Sequence, residues 1–400
     1  MATITLDWLH IVILLGAVQG LFLTGVLAAR KRNRTANRIL AVAMIAFTLY
    51  LLTSVYHAAH LEHRFPHFFG VAHPLPLAFG PLVYLYTVSV SDRPRRLTWR
   101  DALHFIPFLL AIMTALPLYL MSGPDKIAWY RNALRTGEVP LTMTVITQLK
   151  LVSGIIYTAL TLLFLRRHRS RVRDNYSTLE HVDLRWLVRL APAPAVVWAT
   201  AIAINVTQMF EGPTSQRGED ILTLAIALLV YGIGYMALRQ PEIFRFDTGE
   251  YRIAAPPPAA GVSVSRAAPP PDEGVTRYER SGLREPEAAA VKSALRSAMD
   301  QRSPWRNSDL TLADLAQQLS TTPHKLSEVL NSQLEQSFYD FVNGYRVRYV
   351  QRRIEDEDAR NLKILALALD AGFASKSTFN DVFKKHTGRT PSDYRRSIAV

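Results

Sequence analysis

Asp370-Ala-Gly-Phe-Ala-Ser-Lys-Ser-Thr-Phe-Asn-Asp-Val-Phe-Lys-Lys-His-Thr-Gly-Arg-Thr-Pro-Ser-Asp-Tyr-Arg395 decides how the end of this chain folds. It reads as helix, tight turn, helix, turn and short helix. Just before and into it, Ile364, Leu367, Ala368 and Ala371 fall at i, i+3, i+4 and i+7, one apolar helix face. Gly372 supplies a backbone that can turn with positive φ. Ser375 or Ser377 can cap the next helix, whose Phe379, Val382 and Phe383 face inward. Gly388 closes that helix, and Pro391 sits where a new short helix begins. Two helices joined by such a turn, with polar residues between the apolar anchors of the second, have the form of a helix-turn-helix reader of DNA. A generic helical hairpin shares the periodicity.

The arrangement occurs twice. Leu312, Leu315, Ala316 and Leu319 repeat the same face, Thr311 is placed to cap it, and Ser320-Thr321-Thr322 make the turn. A second helix, Pro323 to Asn331, turns Leu326, Val329 and Leu330 inward. One long helix from Ser337 to Ile354 joins the two pairs, and another from about Glu287 to Gln301 leads in. Gly372-Phe373, Ser377 to Phe379, Phe383-Lys384-Lys385, Gly388, and Thr390-Pro391 through Tyr394-Arg395 together resemble the AraC family of bacterial transcription regulators. The resemblance covers about 287–396 and implies two recognition helices in successive major grooves of double-stranded DNA.

It places the first helix-turn-helix at about 312–331 and the second at about 363–387, within a DNA-binding domain at 287–400. By geometry, base edges should meet His324, Lys325, Ser327 and Glu328 from the first recognition helix, and Lys376, Ser377, Asn380 and Asp381 from the second. Asn suits adenine, Lys guanine, and the acids cytosine, although acids also repel phosphate. Arg346, Arg348, Arg352, Arg353, Lys384, Lys385, Arg389 and Arg395 are candidates for phosphate contacts. From 286 to 400 there are 17 Lys and Arg against 14 Asp and Glu. The chain's net charge of +13 therefore comes mostly from elsewhere and is no argument for DNA.

Its source is the first 240 residues. Long apolar runs occur at about 6–29, 38–58, 72–90, 102–121, 141–165, 187–210 and 221–238. Each is close to the roughly 20 residues that a spanning helix needs. The first is followed by Arg30-Lys31-Arg32, which reads as an uncleaved anchor. Connections at 30–38, 92–100 and 166–189 hold 16 Lys and Arg, and those at 59–72, 122–140 and 211–220 hold 5. The positive-inside bias then puts the amino terminus outside and the carboxyl terminus in the cytoplasm of a bacterial inner membrane.

Polar groups inside the spans are costly and so informative. Lys150 lies near mid-membrane by helical rise, as a cavity cation for an anionic signal, or as a lysine that is held by backbone carbonyls, Gln19 or a tyrosine, or that snorkels. His57, His60, His63 and His67 are spaced along one side of a helix continuing out of the second run. The first three are candidates for a metal or a pH sensor, though imidazoles are common at interfaces. His10, His57 and His104 have no acidic partner within the runs. No cysteine is present, which removes disulfides and thiolate chemistry.

Residues 241–286 carry two Pro-Pro-Pro runs among Ala, Gly and Ser and read as a disordered tether. The expected fold class is all-α: a seven-helix transmembrane bundle at 1–240, a Pro-rich linker and a carboxyl-terminal domain with two helix-turn-helix motifs. The expected function is that of a membrane-embedded one-component regulator, not an enzyme and without a cofactor. Its partners are double-stranded DNA, the lipid bilayer, a second copy on DNA, a small-molecule signal and, for an activator, RNA polymerase. A transporter, or a metal-dependent membrane hydrolase, fused to a DNA-binding domain is the alternative. Residues 287–400 are expected to bind DNA on their own.

Overall fold

The computed structural model describes residues 6–31, 33–91, 97–136, 140–179, 190, 192–211, 217–239, 284–356 and 362–398. Among them the regular elements are all helical, and the β structure is an isolated antiparallel bridge between Tyr176 and Thr311. The chain divides into two compact units. The first is Met1–Arg167 with Leu184–Asp247, and the second is His168–Asp183 with Thr248–Val400. The expected tether lies outside the described residues as far as position 283.

The first unit holds α1 (Trp8–Ala29), α2 (Arg34–Ala58), α3 (Pro76–Ser91), α4 (Trp99–Ala102), α5 (Ile106–Leu120) and α6 (Gly123–Thr136). It continues with most of α7 (Leu141–Asn175), then α8 (Pro192–Glu211) and α9 (Arg217–Arg239). In its described residues each expected apolar run overlaps one of these helices, with α4 and α5 sharing a run. Among the described residues four stretches are long and apolar enough to cross a membrane: Trp8–Ala29, Arg34–Ala58, Trp99–Leu120 and Leu141–Asn175. Pro76–Ser91, Pro192–Thr207 and Asp220–Met236 are apolar but shorter.

Burial here does not sort residues by polarity. On α1, Ile13, Ala17, Leu23 and Leu27 are buried, while Ile11, Leu15, Val18, Leu21 and Phe22 are exposed. On α5, Leu109, Leu110 and Met113 are likewise outward. An apolar exterior of this extent suits a lipid surround rather than water. Small residues let these helices approach closely. Gly16 faces Ala227 of α9, where an added Cβ would lie 3.1 Å from the alanine methyl. At Gly20 a Cβ would collide with Thr48 Oγ1 of α2, and at Gly234 with the Gln19 amide.

The polar expectations change in this unit. Helix α2 ends at Ala58, and His60 takes a left-handed φ of 49° before a short 3-10 turn at Leu61–His63. The helix therefore does not carry His57, His60 and His63 on one continuous face. Among the described residues no group of three His, Asp or Glu is placed to hold a metal ion. His10 does have acidic neighbours: its Nδ1 is 2.5 Å from Asp7 Oδ1 and its Nε2 3.4 Å from Asp220 Oδ1. Those carboxylates sit just before α1 and in the first turn of α9, at helix starts that a run-by-run reading does not juxtapose. Lys150 Nζ lies 3.1 Å from His73 Nδ1, whereas Gln19 packs over Gly234.

In the second unit α10 (Glu285–Gln301) leads to α11 (Leu312–Gln318) and α12 (Pro323–Glu328). A wider π turn, Val329–Gln333, ends α12 earlier than the periodicity implies. The long α13 (Phe338–Glu355) is followed by α14 (Ile364–Asp370), α15 (Lys376–Thr387) and α16 (Pro391–Ile398). One core runs along α13, where Phe338, Val342, Val347 and Val350 meet Leu315, Leu326, Leu367, Phe379 and Phe383. Val172 and Leu179, far upstream in the chain, belong to the same core.

Replacing Gly20 by Leu should overpack the α1–α2 contact, and overpacking costs about 1–3 kcal/mol. The expected result is a lower thermal midpoint of the purified full-length protein in detergent. An unchanged midpoint would show that this approach of helices contributes little.

Candidate nucleic-acid interface

Local chemistry builds each helix pair. Thr311 opens α11 with a reciprocal cap, Asp314 N donating to its hydroxyl at 3.1 Å and Thr311 N donating to Asp314 Oδ2 at 3.0 Å. Thr322 caps α12 through Lys325 N at 3.3 Å, with Pro323 in the first turn. In the second pair Ser375, not Ser377, is the cap of α15, accepting from Thr378 N at 3.3 Å. Gly372 has φ of 84°, and a Cβ there would lie 2.5 Å from Arg306 O and 2.7 Å from Trp305 O. Only glycine permits both the turn and that approach. Gly388, at φ 75°, ends α15 with its N–H donating to Lys384 O at 2.8 Å.

The expected base-reading side chains differ in what they already touch. His324, Lys376, Ser377, Asn380 and Asp381 are exposed. Lys325, Ser327 and Glu328 are half-buried, with Lys325 paired to Glu287 of α10. Asn331 Nδ2 donates to Ser327 Oγ at 3.2 Å. The second reading helix therefore offers the freer polar row.

Among the expected phosphate contacts, Arg348, Arg352, Lys384, Lys385 and Arg389 are exposed. Arg348 lies over the Tyr345 ring at 4.3 Å, Arg353 pairs with Asp356 at 2.7 Å, and half-buried Arg395 donates to Leu362 O at 2.8 Å. Lys385 Nζ is 2.7 Å from Asp340 Oδ1 on α13. Arg346 does not belong with them, because its side chain is fully buried. Its Nε donates to Trp305 O at 2.8 Å, its Nη1 to Ser177 O at 3.1 Å, and its Nη2 to Asn307 O at 2.8 Å. Burial lowers its pKa to about 10, so it still carries its charge at neutral pH. A guanidinium enclosed this way holds the domain together and has no donor to spare for phosphate.

The residues missed by the sequence reading are those Arg346 reaches upstream. Beyond Leu165 the basic run Arg166–Arg173 reads as an inner girdle, yet α7 continues to Asn175, and its last turns belong to the second unit. Tyr176 bridges to Thr311, and Thr178 Oγ1 donates to Ser308 O at 2.5 Å. Ser177 O also accepts from Asn343 Nδ2 at 3.0 Å. No local pattern in the sequence marks them; only the observed length of α7, 35 residues, shows that it runs on beyond its apolar stretch.

Residues 315–397 match the family described as "Helix-turn-helix domain". They form an AraC-type helix-turn-helix domain. The relatives agree. The HTH-type transcriptional regulator YijO of Escherichia coli K12 is 30% identical over 107 residues, 27% of this chain and 36% of that protein. The melibiose operon regulatory protein of the same strain is 28% identical over 87 residues, 22% of this chain and 28% of its own. The probable transcription factor PqrA of Proteus vulgaris is 38% identical over 69 residues, 16% of this chain and 57% of its own. The chain thus spans between about a quarter and somewhat over half of these relatives. No solved structure is significantly similar to it. The AraC-type domain is a double-stranded DNA-binding module, and both its helix pairs are present.

Two outcomes follow for the AraC-type domain. Arg346→Ala strands the Trp305, Ser177 and Asn307 carbonyls, and each buried group left unpaired costs about 1–3 kcal/mol. The thermal midpoint of the full-length protein should fall by several degrees, and no shift would refute the role given to Arg346. His386 is held below 6.5 by burial first and by Lys385 and Arg348 next, against Asp340. The unfolded ring therefore binds protons more readily than the folded one. Its stabilising contribution is complete above pH 6.5 and is lost as pH falls through the lower folded value. Wild type should lose stability below pH 6.5 more steeply than His386→Gln, in midpoints measured across pH 7.5 to 4.5.

Proposed function

We propose that this protein is a membrane-embedded one-component transcription regulator, whose first unit spans the bacterial inner membrane and whose AraC-type domain reads promoter DNA in the cytoplasm. The observation that carries this reading is one chain joining two surfaces of opposite character. The first unit exposes leucine, isoleucine and phenylalanine along helices of membrane length. The second exposes two capped helix pairs with a polar row on the second reading helix. The loop charge bias supports the amino terminus outside and the AraC-type domain inside.

Sequence is read by Asn380, Lys376, Ser377 and Asp381 from α15, with His324, Lys325, Ser327 and Glu328 from α12. Arg348, Arg352, Lys384, Lys385 and Arg389 hold the backbone. Two copies on paired sites raise each other's effective concentration, so a homodimer on DNA fits the two-motif reader. A signal is sensed in the first unit, where Phe47, Phe79, Tyr157, Thr161, Trp198 and Leu229 line an apolar cavity among the helices.

The test is selection of a site from a random duplex library by the full-length protein in nanodiscs. Asn380→Ala should relax preference at one position of the selected site and weaken it by about 1–3 kcal/mol. Lys384→Ala should weaken all sequences alike and lower the salt dependence of binding by about one phosphate's worth. Failure to enrich any sequence would end the proposal.

A further inference from the structure

The second unit, which holds the AraC-type domain, is not built from one stretch of chain. Residues 168–179 lie in it as a strap, and α7 carries both Leu165, buried in the first unit's core, and Val172, buried in the second's. Ser177 and Thr178 are clamped by Arg346, Asn343 and the Asn307–Leu310 backbone. Ser177 N donates to Leu310 O at 3.2 Å, and Tyr176 bridges to Thr311, the cap of the first helix pair. One turn before the strap leaves α7, Arg173 Nη2 lies 3.3 Å from Asp340 Oδ2. Asp340 is the carboxylate that also holds Lys385 of the second reading helix, and its own cap bond from Ser337 Oγ is 2.8 Å. Burial alone would raise the pKa of Asp340. The bonds from Lys385 and Ser337 and the charge of Arg173 outweigh this and leave it lowered, so the group is ionised at neutral pH.

We propose that the strap is an internal effector of the DNA reader, acting through the ion-pair relay Arg173–Asp340–Lys385. Lys385 has two anions to choose between, Asp340 and a DNA phosphate. With Arg173 in place, part of the carboxylate's charge is already met, and Lys385 leaves it for phosphate at lower cost. With Arg173 withdrawn, Asp340 holds Lys385 more strongly and also repels the duplex. Because Arg173 lies on a helix continuous with an apolar stretch of membrane length, a shift of α7 alters Lys385 without a contact to DNA. This rests on the reading of the chain as a membrane-embedded regulator and adds the route by which its two functions are joined. Arg173 and Asp340 are positioning residues; Lys385 makes the contact.

The experiment measures binding of the selected duplex by full-length protein in nanodiscs between 50 and 300 mM salt. Arg173→Ala should weaken binding several-fold and lower the salt slope by up to one unit, as expected when one phosphate contact is lost. Asp340→Asn should bind at least as tightly as wild type. In the Asp340→Asn background Arg173→Ala should have no effect. A merely structural Arg173 would give the same loss in both backgrounds with an unchanged salt slope, and that result overturns the proposal. The strap itself is checked by Thr178→Cys with Ser308→Cys, oxidised in native membranes, since the chain has no cysteine of its own. A cross-link is expected, and its absence overturns the placement. If wild type selects no DNA, the functional reading fails; if it does and Arg173→Ala binds normally, only the relay fails.

Discussion

A guanidinium with no exposed surface must find a partner for each of its donors, because an unpaired buried polar group costs more than a typical hydrogen bond contributes. Arg346 meets this demand without a carboxylate among its hydrogen-bond partners. Carbonyls of Trp305, Asn307 and Ser177, the hydroxyls of Ser177 and Thr178, and the Asn343 side chain converge on it. Those groups come from three places: the segment before the first helix pair, the long α13, and a strap more than 120 residues upstream. The geometry of the reader is thus fixed from the inside by one charge. Trp305 O and Arg306 O in turn face Gly372, so the turn of the second helix pair is set against the same segment.

The first unit obeys the opposite rule. On α1 and α5 many outward side chains are as apolar as those of the core. Small residues mark the closest approaches. Gly16 and Gly20 of α1 bring α9 and α2 within contact distance, and Thr48 and Gln19 lie over the glycines that admit them. Some polar pairs lie at helix ends and turns, as with His10 between Asp7 and Asp220, or Tyr119 OH donating to Gly70 O at 3.2 Å.

What could be read from the sequence was local. The caps at Thr311 and Ser375, the turn at Gly372 and the stop at Gly388 each depend on residues within four positions. Periodicity also placed the faces of α11, α14 and α15. What was not legible depended on distance. Asp7 and Asp220 are neighbours of His10 only once α1 and α9 pack. The strap meets Arg346 across a separation of 169 residues, and no local pattern marks it. Arg346 itself left a trace: it stands four residues after Val342 and four before Val350, both buried, on the core stripe of α13. Of the basic residues expected to meet phosphate on α13, Arg348 and Arg352 stand four apart on its exposed face, whereas Arg346 and Arg353, seven apart, share the inner side.

The strap also changes what a cut in the chain would mean. The AraC-type domain is attached at two points, once through 241–283 and once through α7. Cleavage of the first alters covalent connectivity and leaves every hydrogen bond to Arg346 in place. The reader would then be a separate polypeptide still seated on the end of a helix it no longer shares a backbone with. Its escape would be governed by how long Ser177 and Thr178 stay bound, a dissociation rate rather than a proteolytic one.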